Sequence, residues 1–417
     1  MATAAQRLTT TSSKSRQWSV LALSALLVLA PIASGARGLD ASLGRALIAA
    51  VDVALVAYFM STLTSKRSGF DVLIAAMIGY AFVQWAFFVN FPGIEGAVQG
   101  FRKTFVLLVA ISVGRHIKDE NHSFIRASIV FSLIYVCLYG IKQRFYFDSF
   151  DQALLNAQSS DFYSNVIDNQ IRSLSLLSGA FHLGTAACVL AMYAIFKSGL
   201  SKTKRLLLWA VAVGACYSSL TRTFLIIIFA VPLLTFLMQS KARLVVGIYI
   251  TVLGVALLDF FSGGLVSTEF WALVYDDRLR GRSVSYLGFA EYWTEFPGAL
   301  ITGFGLGSAG SGLGEVFAQS GSIWNEPHNV FLKYVFELGI PLGCVALWIF
   351  FYFTKAAWLN AGRDRWVYVA MMLVLAVAGL TITSVEVWPI NIYVGILIGM
   401  ASRPSALSRP EVNLIKA

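Results

Sequence analysis

Apolar residues do not alternate with polar ones along this chain. They gather into runs of roughly 15–25 residues separated by short charged turns, the pattern of membrane-crossing helices rather than of amphipathic surface helices. The runs predict twelve spans, at 18–36, 43–63, 71–90, 100–114, 124–141, 174–196, 205–219, 223–239, 244–262, 328–354, 366–384 and 389–402. Two long polar stretches interrupt the series, 142–173 and 263–327, the second between spans nine and ten. The remaining connections are tight turns. The expectation is an all-α polytopic membrane protein, a single integral membrane domain over 1–417, with no internal repeat and no soluble domain.

Composition strengthens this reading: 57% of residues are hydrophobic, 13% are charged, and the mean hydropathy is +0.71, whereas a soluble domain carries about 25% charged residues. The net charge of +10 does not point to nucleic acid, because no basic stretch is interleaved with surface aromatics and no zinc spacing is present. It follows instead from loops rich in Lys and Arg on one side: Arg7, Lys14, Arg16; Lys66, Arg67; Arg115, Lys118, Arg126; Lys197, Lys202, Lys204, Arg205; Lys241, Arg243; Lys355, Arg363, Arg365; and Arg403, Arg409, Lys416. The positive-inside rule makes that side, with both termini, cytoplasmic and puts both long loops outside. Residues 1–17 are polar and basic before Trp18 opens an apolar run, a pattern shared by a signal peptide and an uncleaved first span. Cys137, Cys188, Cys216 and Cys344 sit in apolar runs without CxxC spacing and are expected to be buried thiols.

The informative basic residues are those on the outer side: Arg102, Lys103, Arg172, Arg222, Arg278, Arg280 and Arg282. Arg222, in SSLTRTF, joins two spans of only about 15 apolar residues, which rise about 22 Å, short of a hydrocarbon core of about 30 Å. Its turn is therefore expected to lie recessed in a cavity. An arginine at that depth faces either a water-filled site or a fixed anion, unless it snorkels from a helix end. In DDRLRGRS, Arg278, Arg280 and Arg282 offer planar donor forks suited to phosphate, although Asp276 and Asp277 equally suit a solvated charge run. Glycines from Gly298 to Gly314 have neither the strand–helix context of a dinucleotide fold nor the lysine of a phosphate loop. They read as a flexible loop whose backbone approaches a ligand. No HExxH, DxD pair or Cys/His cluster occurs, so neither a metal nor a cofactor is expected.

Among the histidines, His116 and His122 read as solvated residues of a cytoplasmic turn. His182, near the outer end of a span, reads as a structural hydrogen-bonding residue more readily than a catalytic one. His328 differs. Pro327 suits a first helical turn capped by Asn325 or Glu326, so His328 is expected within that turn. The positive end of the helix dipole there favours neutral imidazole, while Glu326 opposes it. Asn329, Lys333 and Glu337 follow at four-residue intervals on one stripe; Lys333 and Glu337 can also simply neutralise each other. The Gly339-Ile340-Pro341 break predicts a kinked tenth span whose polar first half lines an outer cavity.

HNVFLKYVFELGIPLG (328–343) resembles the His-Asn helix and Glu-x-Gly-x-x-Gly ending of the bacterial O-antigen ligase and O-antigen polymerase superfamily. GRSVSYLGFAEYWTEFPGALITGFGLG is similar to that family's Gly-Arg, aromatic, glycine-rich run, with Tyr286 roughly where the family often has tryptophan. SSLTRTF resembles its arginine between mid-chain spans, and RSLSLLSGAFHLG its Arg-Ser segment. The resemblance implies metal-independent glycosyl transfer at the periplasmic face of a bacterial inner membrane, from an undecaprenyl-diphosphate-linked glycan. It implies that Arg222 and Arg282 bind the diphosphate, with Arg280 and Asn329 as further substrate contacts. By the same resemblance His328 is the general base, Arg172 a second phosphate or glycan contact, and Glu337 an orienting or structural group. The implied acceptor is a glycan or a lipid, and chain-length regulators or export proteins are further implied partners. A polymerase extending O-antigen, capsule or exopolysaccharide repeat units is preferred over a ligase to lipid A–core or protein. A lipid-linked oligosaccharide transporter is the non-enzyme alternative, disfavoured because transporters tend to carry internally related halves.

Overall fold

The computed structural model describes residues 2–65, 68–88, 93–157, 166–167, 170–238, 293–309, 329–379 and 386–403. Those residues are helical apart from turns and one two-residue antiparallel pairing, β1 (Val166–Ile167) with β2 (Gln170–Ile171). The helices are α1 (Ala2–Gly35), α2 (Ala41–Ser65), α3 (Gly69–Phe88), α4 (Gly93–His116), α5 (His122–Phe145), α6 (Ser149–Ala157), α7 (Ala180–Phe196), α8 (Lys202–Ser218), α9 (Arg222–Met238), α10 (Ala299–Thr302), α11 (Val330–Asn360), α12 (Arg365–Ala378) and α13 (Ile390–Ala401).

Among the described residues, four segments are long and apolar enough to cross a membrane: Ser19–Gly38, Ala41–Leu63, Asp119–Phe145 and Val330–Asn360. Shorter apolar helices accompany them, at Gly69–Gln84, Ala180–Phe196, Thr223–Met238 and Ile390–Ala401. Every run expected to span contains a helix except 244–262, which lies outside the described residues. Large apolar side chains such as Leu29, Val53, Phe131, Ile226, Phe229 and Phe351 face outward, an exterior suited to lipid rather than water. Two expectations change. The run 174–196 becomes helical only at Ala180, because its first residues are used in turns. The stretch 142–173 is not all loop: α5 runs on to Phe145, and α6 and the β1–β2 pairing follow.

The centre of the bundle is α4 against α13. Nearly every residue of α13 is buried, and so is α4 from Thr104 to Val113. Small residues let these two backbones meet: a Cβ on Gly395 would press on Ala110, and one on Gly114 or Gly399 would collide with carbonyls of the facing helix. Around this pair, α7 packs on α8, α9 and α12, and α1 packs on α2 and α5.

Contacts sort the polar groups to two ends. At one end Lys197 pairs with Asp364 at 2.5 Å, Arg403 with Asp119 at 3.5 Å, and Arg115 donates to Ser68 at 3.0 Å. His116 and His122 belong to this end and are not freely solvated as expected. The His116 Nε2 lies 2.9 Å from the buried Asp71 carboxylate, and the His122 Nε2 lies 3.1 Å from the Ile117 carbonyl oxygen. Of the cysteines, Cys137, Cys188 and Cys216 are buried as expected, but Cys344 is exposed, on an outward face of α11.

Beyond the end of α5, Asp148 and Asp151 cap α6 reciprocally. Asp148 accepts from the Asp151 N–H at 2.9 Å, and Asp151 accepts from the Asp148 N–H at 3.1 Å. The Lys142 ammonium reaches both carboxylates at 2.5 Å. The Lys142 hydrogen bond, then the Asp151 N–H, hold the Asp148 carboxyl down at about 2. A depressed carboxyl contributes stability that is present above its unfolded value, near 4, and is lost as pH falls through the folded one. Wild-type protein is therefore expected to lose melting temperature between about pH 4 and pH 2 more steeply than Asp148→Asn, a difference measurable by thermal scans across that range. Equal slopes would remove Asp148 from the acid response.

Candidate functional site

The kink in α11 organises the opposite end of the bundle. Pro341 has no N–H, so the carbonyl of Glu337 loses its helical donor, and Gly339 leaves the helix altogether at φ 78°, ψ 166°. A buried carbonyl must find another partner. The glycine run supplies it: the Phe304 N–H donates to the Phe336 carbonyl at 2.8 Å and the Gly305 N–H to the Glu337 carbonyl at 3.1 Å. The Gln84 amide donates to the Glu337 carbonyl at 3.2 Å and also to the Thr302 carbonyl. Phe304 stacks on Phe336 with ring centroids 4.3 Å apart. The break expected at Gly339-Ile340-Pro341 is thus present, and it is the dock for residues 303–309.

Inside this joint lies a charged network. Lys333 and Glu337, one helical turn apart, are both wholly buried. The Lys333 ammonium donates to Glu337 Oε1 at 2.9 Å and to the Ala309 carbonyl at 3.1 Å, and it pairs with Glu386 at 3.0 Å. Glu337 also accepts from the Gly307 N–H at 3.1 Å and from the Thr104 hydroxyl. Glu386 in turn pairs with Lys103 at 3.5 Å. Beside it, Arg102 pairs with Asp52 at 2.7 Å, and the Trp388 indole N–H donates to Asp52 at 2.8 Å. Lys333 and Glu337 do neutralise each other, as the sequence allowed, but within a larger assembly that ties α2, α4, residues 305–309, α11 and the segment before α13 together.

Asn329 is the cap of α11. Its side-chain oxygen accepts from the Phe331 and Leu332 N–H groups at 2.9 and 3.2 Å. This corrects the expected start: the cap is neither Asn325 nor Glu326, and His328 precedes the cap rather than sitting in the first turn. The helix dipole argument for its protonation therefore lapses. His328 itself, with Arg278, Arg280 and Arg282, lies outside the described residues.

Arg172 is buried and holds a turn. It donates to the Ser219 carbonyl at 3.1 Å and to the Thr221 hydroxyl at 2.6 Å, with its guanidinium 4.8 Å above the Phe181 ring. The turn it holds, where Leu220 adopts φ 49°, leads directly into Arg222, the first residue of α9. The flanking helix α8 has 17 residues, a rise of about 26 Å, and α9 is described over Arg222–Met238. Ser218, Ser219 and Thr221 at the junction are buried, in keeping with a recessed turn.

Arg172, the Arg222 turn, Asn329 and Glu337 are thus gathered by one end of the helix bundle. Sequence reasoning passed over Glu386, Asp52, Gln84 and Thr104. Glu386 carried a signal, a carboxylate alone in the apolar run TITSVEVWP, whereas Thr104 and Gln84 look like ordinary residues of apolar helices. Among the described residues no group of three or more His, Cys, Asp or Glu side chains could hold a metal ion. No protein-family model and no curated protein matches the sequence.

Proposed function

We propose that this chain is a twelve-span inner-membrane glycosyltransferase of the O-antigen ligase and polymerase type. In this reading both termini are cytoplasmic, the 263–327 loop is periplasmic, and the donor is an undecaprenyl-diphosphate-linked glycan. Arg222 and Arg282 bind the diphosphate and stabilise the charge that grows on it as the sugar departs. His328 removes the proton from the acceptor hydroxyl. Arg172 acts on Arg222 through the turn it holds, and Glu337 anchors the glycine run; both are positioning residues. The reaction is polymerisation of repeat units.

One observation carries the reading. The kink of α11, about eleven positions after His328 in sequence, clasps the glycine run that follows the arginine loop, at the end of the bundle where Arg172 holds the turn of Arg222. The described segments that flank the proposed mechanism's residues are thereby anchored on rigid elements, which supports the reading.

Purified protein given labelled undecaprenyl-diphosphate repeat units is expected to form chains longer than one unit and to release undecaprenyl diphosphate, with activity unchanged by EDTA. Transfer to lipid A–core without chain growth would replace polymerase by ligase. No transfer to either acceptor by folded protein would sink the reading. Full activity in His328→Ala would remove the base assignment, and full activity in Arg222→Ala the diphosphate role.

A further inference from the structure

The charged network does not account for every cation at this end. Arg37, just beyond α1, donates to the Ser34 carbonyl at 3.1 Å, the Ser34 hydroxyl at 2.7 Å and the Ser178 hydroxyl at 2.7 Å, all neutral acceptors. Among the described residues its one charged neighbour of consequence is another cation, Arg102. Arg102 and Lys103 have Asp52 and Glu386 as counter-charges; Arg37 has none among the described residues. A half-buried cation is ordinarily balanced by a carboxylate or a bound anion.

A second observation comes from α7, which begins where Ser178 ends. Its cap is Gly179, which supplies no side chain to the first-turn N–H groups, so the positive end of a 17-residue helix is uncapped. A Cβ placed on Gly179 would meet just one described atom within 4 Å, the Nδ1 of His182, at 3.5 Å. That Nδ1 is buried and has no hydrogen-bond partner among the described residues. Arg37, Lys103, Glu386 and Arg102 are the charged groups around the ring, and the residue as a whole is half-buried. The structural hydrogen bond expected of His182 is not made by Nδ1, and an unpartnered buried nitrogen calls for a partner, an acceptor in the tautomer that carries the proton on Nδ1.

We propose that Arg37, the Nδ1–H of neutral His182 and the uncapped N-terminus of α7 form a subsite for a phosphate-type oxyanion, distinct from the Arg222 turn. The three donors differ in kind and lie together around Gly179: Arg37 donates to the preceding Ser178, and the His182 Nδ1 is 3.5 Å from where a Gly179 Cβ would stand. Arg37 supplies the charge, the helix end its dipole and free N–H groups, and His182 a neutral directional donor. The oxyanion comes either from a polyprenyl-phosphate headgroup or from a free phosphate or diphosphate in solution. This inference does not depend on glycosyl transfer.

The test measures binding and is done in an Arg222→Ala/Arg282→Ala background, so that the proposed transferase site does not contribute. Protein in nanodiscs is titrated with inorganic diphosphate by calorimetry, and with undecaprenyl phosphate supplied in the disc by native mass spectrometry. Binding of either probe, weakened tenfold or more by Arg37→Gln and by Gly179→Val, is the expected result, and the probe that binds identifies the source. Gly179 has extended backbone, φ 178°, ψ 167°, so valine fits without strain and fills the space while leaving every charge in place. It carries the test if Arg37→Gln does not fold. Absence of binding by either probe to folded protein, or affinity unchanged in Gly179→Val, would overturn the proposal.

Discussion

Glu337→Ala is expected to melt far below the wild type, with a loss of about 3–5 kcal/mol, the usual cost of breaking a buried ion pair from one side. Lys333 is wholly buried, and its ammonium would be left with Glu386 and one carbonyl. The Gly307 N–H and the Thr104 hydroxyl would lose their acceptor at the same time, each a buried donor left unmade. Lys333→Met should fare similarly, because Glu337 and Glu386 would then face each other without the cation between them. The double variant Lys333→Met/Glu337→Leu should recover part of the loss, since an apolar pair of similar volume removes both desolvation penalties together. Melting followed by tryptophan fluorescence in one detergent reads all three. A midpoint unchanged in either single variant would show that the network does not hold the joint.

How much of this was legible in the sequence depends on distance along the chain. The helices came from hydropathy because each one's apolar run is local, and the kink came from Gly339 and Pro341 for the same reason: φ/ψ freedom and a missing N–H belong to single residues. The i,i+4 spacing of Lys333 and Glu337 was local too. The third partner, Glu386, lies 53 positions beyond Lys333 in sequence, and no periodicity links them. Thr104 and Gln84 donate to Glu337 from more than 200 residues away. Arg172 illustrates the converse. The sequence places it on the outer side and, by resemblance, at the substrate, but hydrogen bonds to Ser219 and Thr221 make it part of the α8–α9 turn, a pairing across 47 and 49 positions that no local pattern carries. The cap was misplaced by a few residues because Asn325, Glu326 and Asn329 all suit an N-terminus. Only the hydrogen bonds to Phe331 and Leu332 distinguish them.

Gly339→Ala is expected to cost about 2–6 kcal/mol, combining a backbone region that is essentially glycine-only, worth about 1–3 kcal/mol, with overpacking of similar size. Gly339 sits at φ 78°, ψ 166°, and Gly303 opposite it at φ 73°, ψ 174°. A methyl on Gly339 would run into the Ile301 carbonyl, and one on Gly303 into the Glu337 carbonyl. Neither obstacle is a side chain that can swing aside. Both are carbonyls held by the crossing itself. The two substitutions oppose the same close approach, so their losses should not add: once one methyl has pushed α10 off the kink, the second meets less resistance. Ile340→Ala is the control, because Ile340 is 45% exposed and removing its side chain leaves the crossing intact. Melting temperatures of the three single variants and the Gly303→Ala/Gly339→Ala pair test this directly. Strict additivity, or a loss in Ile340→Ala as large as in Gly339→Ala, would mean that the glycines act separately and that the kink is not the seat of the glycine run. If the expected order holds, the same displacement unseats Gly307 from Glu337, because the N–H of Gly307 lies four residues past the clash at Gly303. The backbone crossing and the buried ion network would then be one joint, loosened from either side.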